Sequence, residues 1–193
     1  PGVLRVAFPA HNFQKSFAML QTALVGNDVS TALCVKLLDL DLTPGALSAY
    51  AGPRQSISGI REATGVYGRP LVLNMLKPCL GYSPQEGAKL FLASALGGVD
   101  LIKDDEVHGE TDISTVPRRV EACHQAAREA ARQTGRTPLY IPNITARPKR
   151  MRENARAVID AGGRGGMVNF VTAGLDALWE LSLEFGDRLF FLA

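Results

Sequence analysis

Apolar positions in the later part of the chain follow two alternating patterns. Continuous apolar runs at residues 70–76, 98–102, 139–143, 167–171 and 188–193 have the length of buried strands. Between them apolar residues recur three and four apart: Ala88, Phe91, Leu92, Ala95 and Leu96; Val116, Val120, Cys123 and Ala127; Ala155, Val158 and Ile159; Leu175, Leu178, Leu181 and Phe185. These stripes predict amphipathic helices. Ser83, Pro84 and Glu86 have the form of a capping box with proline in the first turn, and Gly97-Gly98 ends that helix. Strand followed by helix, repeated, predicts parallel strands joined by right-handed crossovers, in an open doubly wound sheet or a (β/α)8 barrel. No glycine-rich dinucleotide fingerprint follows a strand here, because Gly97-Gly98 closes a helix instead of opening one.

The polar residues that end these runs carry the chemistry. Lys103-Asp104-Asp105-Glu106 follows the second run directly, Lys77 ends the first, Asn143 the third, and Asn169 lies in the fourth. Polar groups at the carboxyl ends of successive strands suit the barrel, whose active sites occupy that face. Side chains alternate along a strand, so Lys103 and Asp105 share one side, Asp104 takes the other, and Glu106 enters the loop. Two adjacent carboxylates with oxygen donors suit a hard ion such as magnesium. An ammonium would repel that ion. A neutral lysine amine, however, adds carbon dioxide to give a carbamate, in effect a third carboxylate. The same tetrapeptide also fits a solvated salt-bridge cluster at a strand end.

Several separated motifs, in order, carry a family resemblance: Gly68-Arg69-Pro70-Leu71, Leu76-Lys77-Pro78, Leu80-Gly81-Tyr82-Ser83, Gly97-Gly98-Val99-Asp100 and Lys103-Asp104-Asp105-Glu106. Together they resemble the large subunit of ribulose-bisphosphate carboxylase and its RuBisCO-like relatives. The resemblance implies a carbamylated Lys103 that binds Mg2+ together with Asp105 and Glu106. It implies that Lys77, its pKa lowered beside the ion, moves protons at an enolisable phosphorylated keto sugar. Asn143 and Asn169 are the implied substrate-binding residues on this chain. Asn27 is expected to reach the site of a partner subunit, since family members are dimers with active sites between subunits. In the diketo-methylthiopentyl-phosphate enolases the base is a lysine of the amino-terminal domain. Lys36 is only a candidate here, and it fits a lysine at a strand edge better.

Departures from the carboxylase pattern point to the RuBisCO-like branch. Cys79 stands where the carboxylase motif has a second lysine, Val168-Asn169 replaces a His-Asp pair, and a basic loop, Arg147-Pro148-Lys149, replaces a glycine-containing one. The expected chemistry is isomerisation, tautomerisation or decarboxylation, with true carboxylation as the alternative. A non-catalytic half-barrel that serves as a structural module is the alternative of another class.

Length limits the barrel. A complete one takes about 250 residues, whereas this chain has 193 and begins with Pro1. The expectation is therefore part of a longer protein: residues 1–64 as the end of an α+β amino-terminal domain, and 65–193 as the first half of the barrel, with about five βα units. In the first segment strands are expected at residues 3–8 and 32–42, a helix at 13–25, and a connection at 43–53.

A formal charge of +2 with 46% hydrophobic residues lacks the basic clustering of a nucleic-acid binder. The one basic run, residues 147–152, fits a solvated helix start or contact with an anionic substrate. Cys34, Cys79 and Cys123 have no metal or disulfide spacing, which suits a reducing cytoplasm. No apolar run is long enough to span a membrane. His11, His108 and His124 lack metal-ligand spacing, and His108 is expected in a solvated loop or against substrate.

Overall fold

The strand and helix pairs expected from residue 70 onward all form. The computed structural model describes residues 2–13, 15–26, 35–50 and 52–193, in two compact units, Pro1–Gly52 and Pro53–Ala193.

In the first unit a 3-10 turn at Ala10–Phe13 precedes helix α1, Phe17–Val25, and a short helix α2 follows at Pro44–Leu47. The helix expected from residue 13 starts later because Ser16 caps it, its hydroxyl accepting from Met19 N–H at 3.2 Å. Thr43 caps α2 in the same way, so the expected connection contains a helical turn. Residues 3–8 form no strand and lie exposed; residues 35–42 form none either and are exposed up to Asp41, with Leu42 half-buried. A strand needs a partner for its backbone groups, and neither segment pairs with one among the described residues. The remainder of the expected second strand, residues 32–34, lies outside the described residues.

The second unit opens with α3, Ile57–Thr64, a helix not expected from the sequence although Ser56 before it is an ordinary start signal and Gly65 after it, in the left-handed region at φ 68°, an ordinary stop. Then β1 Leu73–Met75, α4 Pro84–Leu96, β2 Leu101–Lys103, α5 Val116–Thr134, β3 Leu139–Ile141, α6 Pro148–Asp160, β4 Gly165–Met167, α7 Phe170–Ala173, α8 Leu175–Phe185 and β5 Phe190–Leu192 alternate. Strand β2 lies between β1 and β3, parallel to both, and β4 pairs in parallel with β5. A parallel bridge between Asn143 and Met167, with Ile144 N–H donating to Met167 O at 3.0 Å, sets β3 beside β4. All five strands are therefore parallel and follow in chain order.

The fourth run is placed differently from the expectation. Its strand starts earlier, at Gly165, and ends at Met167, so Asn169 stands just before the first turn of α7 rather than in the strand. Gly165 explains the early start: a Cβ there would lie 2.5 Å from the Phe190 ring, so only glycine lets β4 approach β5.

Strand alternation sorts the core into two faces. Ile102 and Tyr140 face the helices, joining Phe91, Val116, Val120, Met151, Val158, Leu181 and Leu189 in the larger cluster. Leu101, Ile141, Met167 and Phe190 line the opposite face. Lys103, Asn143 and Asn169 each follow one of these second-face residues by two positions, so the inner apolar face runs directly into the polar residues at the strands' carboxyl ends. At the amino ends the charges are closed off, since Arg69 grips Asp100 through two bonds of 2.7 and 2.6 Å. Among the described residues no helix is long and apolar enough to cross a membrane.

Candidate active site

Parallel register puts the strand-end residues on one level. Met75, Lys103 and Ile141 are direct neighbours, so two residues on, Lys77, Asp105 and Asn143 stand side by side. Lys77 Nζ donates to Asp105 Oδ2 at 2.5 Å and Lys103 Nζ to Glu106 Oε1 at 2.5 Å. Asn143 Nδ2 and Asn169 Nδ2 both donate to the Glu106 carbonyl, at 2.8 and 2.7 Å. The lysines, carboxylates and asparagines named from the sequence are thus brought together, with two exceptions. Asn27 lies outside the described residues, and Lys36 lies in an exposed irregular stretch of the first unit.

Burial is unequal across the cluster. The Asp105 and Lys103 side chains are largely enclosed, whereas Lys77 and Glu106 are about half exposed. Lys103 Nζ also contacts Asp104 O at 3.1 Å and two thioethers, Met75 Sδ at 3.3 Å and Met167 Sδ at 3.4 Å. The Lys77 ammonium, together with Val107 N–H, holds Asp105 down at about 2. Lys103 holds Glu106 below its usual range. In turn Asp105, and after it the Cys79 thiol at 3.1 Å, raise the Lys77 pKa. That direction is opposite to the lowering expected beside a bound cation, because the neighbour present is a carboxylate.

Asp104 takes the opposite side from Lys103, as the alternation requires, and enters the helix-side core, where Arg119 meets it. His108 is also inside, 3% exposed, which corrects the expected solvated loop position. Its ring stacks on Tyr82 at 4.6 Å between centroids, and Nδ1 lies 3.2 Å from Cys79 O, so it ties the loop after β1 to the loop after β2.

Two members of the basic run, Arg150 and Arg152, are committed to ion pairs. Arg150 binds Glu110 through Nε at 2.8 Å and Nη2 at 3.0 Å, and Glu153 through Nη1, while Arg152 meets Glu180 and Glu184 on α8. Desolvation alone would raise the Glu110 pKa, but Arg150, the Val116 N–H and the Asn154 amide outweigh it and bring it to about 2. A lowered carboxyl pKa contributes stability that is present above the ordinary value of 4.5 and lost as pH falls through about 2. The protection of the loop after β2 against hydrogen exchange, measured against the unfolded-chain rate at each pH, is therefore expected to fall over that acid window, with the fall reduced in Glu110→Gln. Equal acid sensitivity in the variant would place the titrating group elsewhere.

Comparison with known proteins matches residues 56–192 to the family "Ribulose bisphosphate carboxylase large chain, catalytic domain". The chain is 36% identical over 180 residues to a ribulose bisphosphate carboxylase-like protein of Archaeoglobus fulgidus, covering 93% of this chain and 41% of that protein. It is 34% identical over 182 residues to a 2,3-diketo-5-methylthiopentyl-1-phosphate enolase of Microcystis aeruginosa, covering 94% and 46%. Among solved structures, a rubisco-like protein from Alicyclobacillus acidocaldarius superposes with a TM-score of 0.90 at 32% identity, covering 96% and 47%. The octameric ribulose-1,5-bisphosphate carboxylase/oxygenase of Pyrococcus horikoshii gives 0.82 at 32% identity, covering 92% and 42%. The chain spans less than half the length of these relatives.

Proposed function

The chain belongs to the ribulose bisphosphate carboxylase large-chain family, and on that premise we propose that the full-length protein enolises a phosphorylated keto sugar, leading to isomerisation, tautomerisation or decarboxylation without fixing carbon dioxide. One observation carries the reading: Lys77, Lys103, Asp105 and Glu106 converge at the carboxyl end of adjacent parallel strands. The enolase relative supports the substrate class. Five parallel strands in chain order support the first half of a (β/α)8 barrel in the second unit, Pro53–Ala193, with Pro1–Gly52 as the end of an amino-terminal domain and the boundary ahead of the one expected at 64/65. The octameric relative, and a dimeric archaeal one, support an assembly of several copies built on a homodimer; Asn27, expected at the partner's site, lies outside the described residues.

The donor set suits magnesium in a modified form. As the side chains stand, two ammonium groups neutralise two carboxylates, and the described residues contain no group of three or more histidine, cysteine or acidic ligands. If the neutral Lys103 amine adds carbon dioxide and releases a proton, one ammonium faces three oxygen anions, an imbalance that a divalent ion offsets. Lys103, Asp105 and Glu106 would then hold the ion, which when bound supplies Lewis acidity toward the substrate carbonyl. Lys77 would carry the proton to and from the carbon beside that carbonyl. Since Asp105 is the first cause of its raised pKa, Lys77 becomes a better proton donor once that carboxylate is engaged elsewhere. Asn169 would meet a substrate oxygen by exchanging the bond it now makes to the Glu106 carbonyl, and Asn143 would orient one with its side-chain amide while keeping its bond to that carbonyl.

Cys79, where the carboxylase-type motif has its second lysine, supports the absence of carbon fixation. In deuterated water with magnesium and bicarbonate, the full-length protein is expected to exchange the α-proton of at least one branched or methylthio keto-sugar phosphate while incorporating no labelled carbon dioxide. Label in the product would make it a carboxylase. No exchange across such a panel would favour a structural module.

A further inference from the structure

Beneath the carboxylate loop lies a charged pair that no step above uses. Asp104 is 0% exposed and Arg119 1%. Charges removed from water this completely persist only when each donor and acceptor is satisfied. Asp104 accepts from the Tyr140 hydroxyl at 2.5 Å, Arg119 Nε at 3.1 Å and the Asn143 N–H at 2.9 Å. Arg119 further donates to the carbonyls of Ser114 at 2.7 Å, Asn143 at 3.1 Å and Gly109 at 3.4 Å.

The positions of these acceptors matter more than their number. Gly109 and Ser114 belong to the loop after β2, and Asn143 ends β3, so the pair joins the two loops that border the site. Asn143 is gripped at both its N–H and its carbonyl. Its side chain is then fixed, with Oδ1 accepting from Thr145 N–H at 3.0 Å and Nδ2 donating to the Glu106 carbonyl at 2.8 Å. A continuous set of bonds therefore runs from the buried pair through Asn143 to the backbone that carries the Glu106 carboxylate. Packing alone does not call for charge here, because an apolar pair of similar volume fills a core at least as well.

We propose that Asp104 and Arg119 are positioning residues, holding Asp105 and Glu106 in metal-binding geometry through Asn143. The inference rests on the metal-site reading above. A lysine at position 119 would keep the charge but lose the planar fork that reaches several acceptors at once.

The test uses the full-length protein with Mn2+ as probe in bicarbonate buffer, following affinity by titration, the bound ion by its electron paramagnetic resonance line shape, and folding by circular dichroism. Arg119→Lys is expected to stay folded, lose about tenfold or more in Mn2+ affinity and change the line shape, as loss of groups that orient metal ligands does. The double replacement Asp104→Leu with Arg119→Met is expected to keep the fold and lose the ion to a similar degree. Tyr140→Phe, which removes one donor to Asp104 and leaves the ion pair, should give a smaller loss and decides the matter if the charge variants do not fold. Unchanged affinity and line shape in folded Arg119→Lys or Tyr140→Phe would overturn the positioning role and leave the pair structural. Absence of Mn2+ binding by the unaltered protein would overturn the metal-site reading, and this inference with it.

Discussion

Replacing Lys103 by arginine in the full-length protein is expected to abolish magnesium binding and to lower turnover by about a thousandfold, the upper end of what losing one electrostatic stabiliser costs. The guanidinium keeps a positive charge against Glu106 but stays protonated at any working pH, so it forms no carbamate. Two cations then continue to neutralise two carboxylates, and a divalent ion meets no net negative charge. The enclosure of Lys103 by Met75 and Met167 sharpens the effect, because the thioethers are poor ligands for a hard ion and supply no substitute oxygen. Lys103→Glu is the informative contrast. Its shorter side chain brings a carboxylate without carbon dioxide and is expected to recover part of the magnesium affinity independently of bicarbonate. Arginine and lysine supporting equal turnover would reduce Lys103 to a salt-bridge partner of Glu106.

Removing the ammonium at position 77 is expected to divide the two functions of the cluster. Lys77→Met keeps the aliphatic stem but carries no proton, and a positioned acid or base accounts for about 10²–10⁴ in rate. Turnover should fall within that range. Magnesium affinity should hold or rise, since Asp105 loses the ammonium that now occupies it at 2.5 Å and its carboxyl returns from about 2 toward the ordinary range. Turnover and affinity falling together would instead mean that Lys77 organises the carboxylates and does not serve as a proton carrier.

The sequence was most legible where a helix buries one face. Phe91, Val120, Ala155 and Leu181 recur at helical spacing and are all buried, and the strands between them could be bounded by what they were not. Strand ends were harder, because three paired residues per strand leave the flanking apolar residues undecided. The run containing Asn169 shows this: glycine's freedom to approach Phe190 moved the strand toward its amino end. Residues 3–8 and 35–40 have strand composition but exposed side chains, since apolar content alone supplies no partner for the backbone.

In the site, Lys77, Lys103, Asp105 and Asn143 were legible from their places at strand ends. Asp104 was assigned to the other side without its partner. The signal was present: Arg119 falls on the apolar stripe of α5, three residues after Val116 and four before Cys123, where a charge must be paired. His108 was expected in a solvated loop or against substrate because it follows the carboxylates, whereas Tyr82 and Cys79, which enclose it, come from a different loop.

The central claim is a carbamate on Lys103, and labelled carbon dioxide tests it most directly. Full-length protein held with magnesium and 13C-bicarbonate is expected to show one protein-bound carbamate resonance by 13C NMR, stabilised by the metal through mass action and missing from Lys103→Arg. A spectrum without that resonance, together with magnesium affinity that does not change when carbon dioxide is removed, would contradict the account.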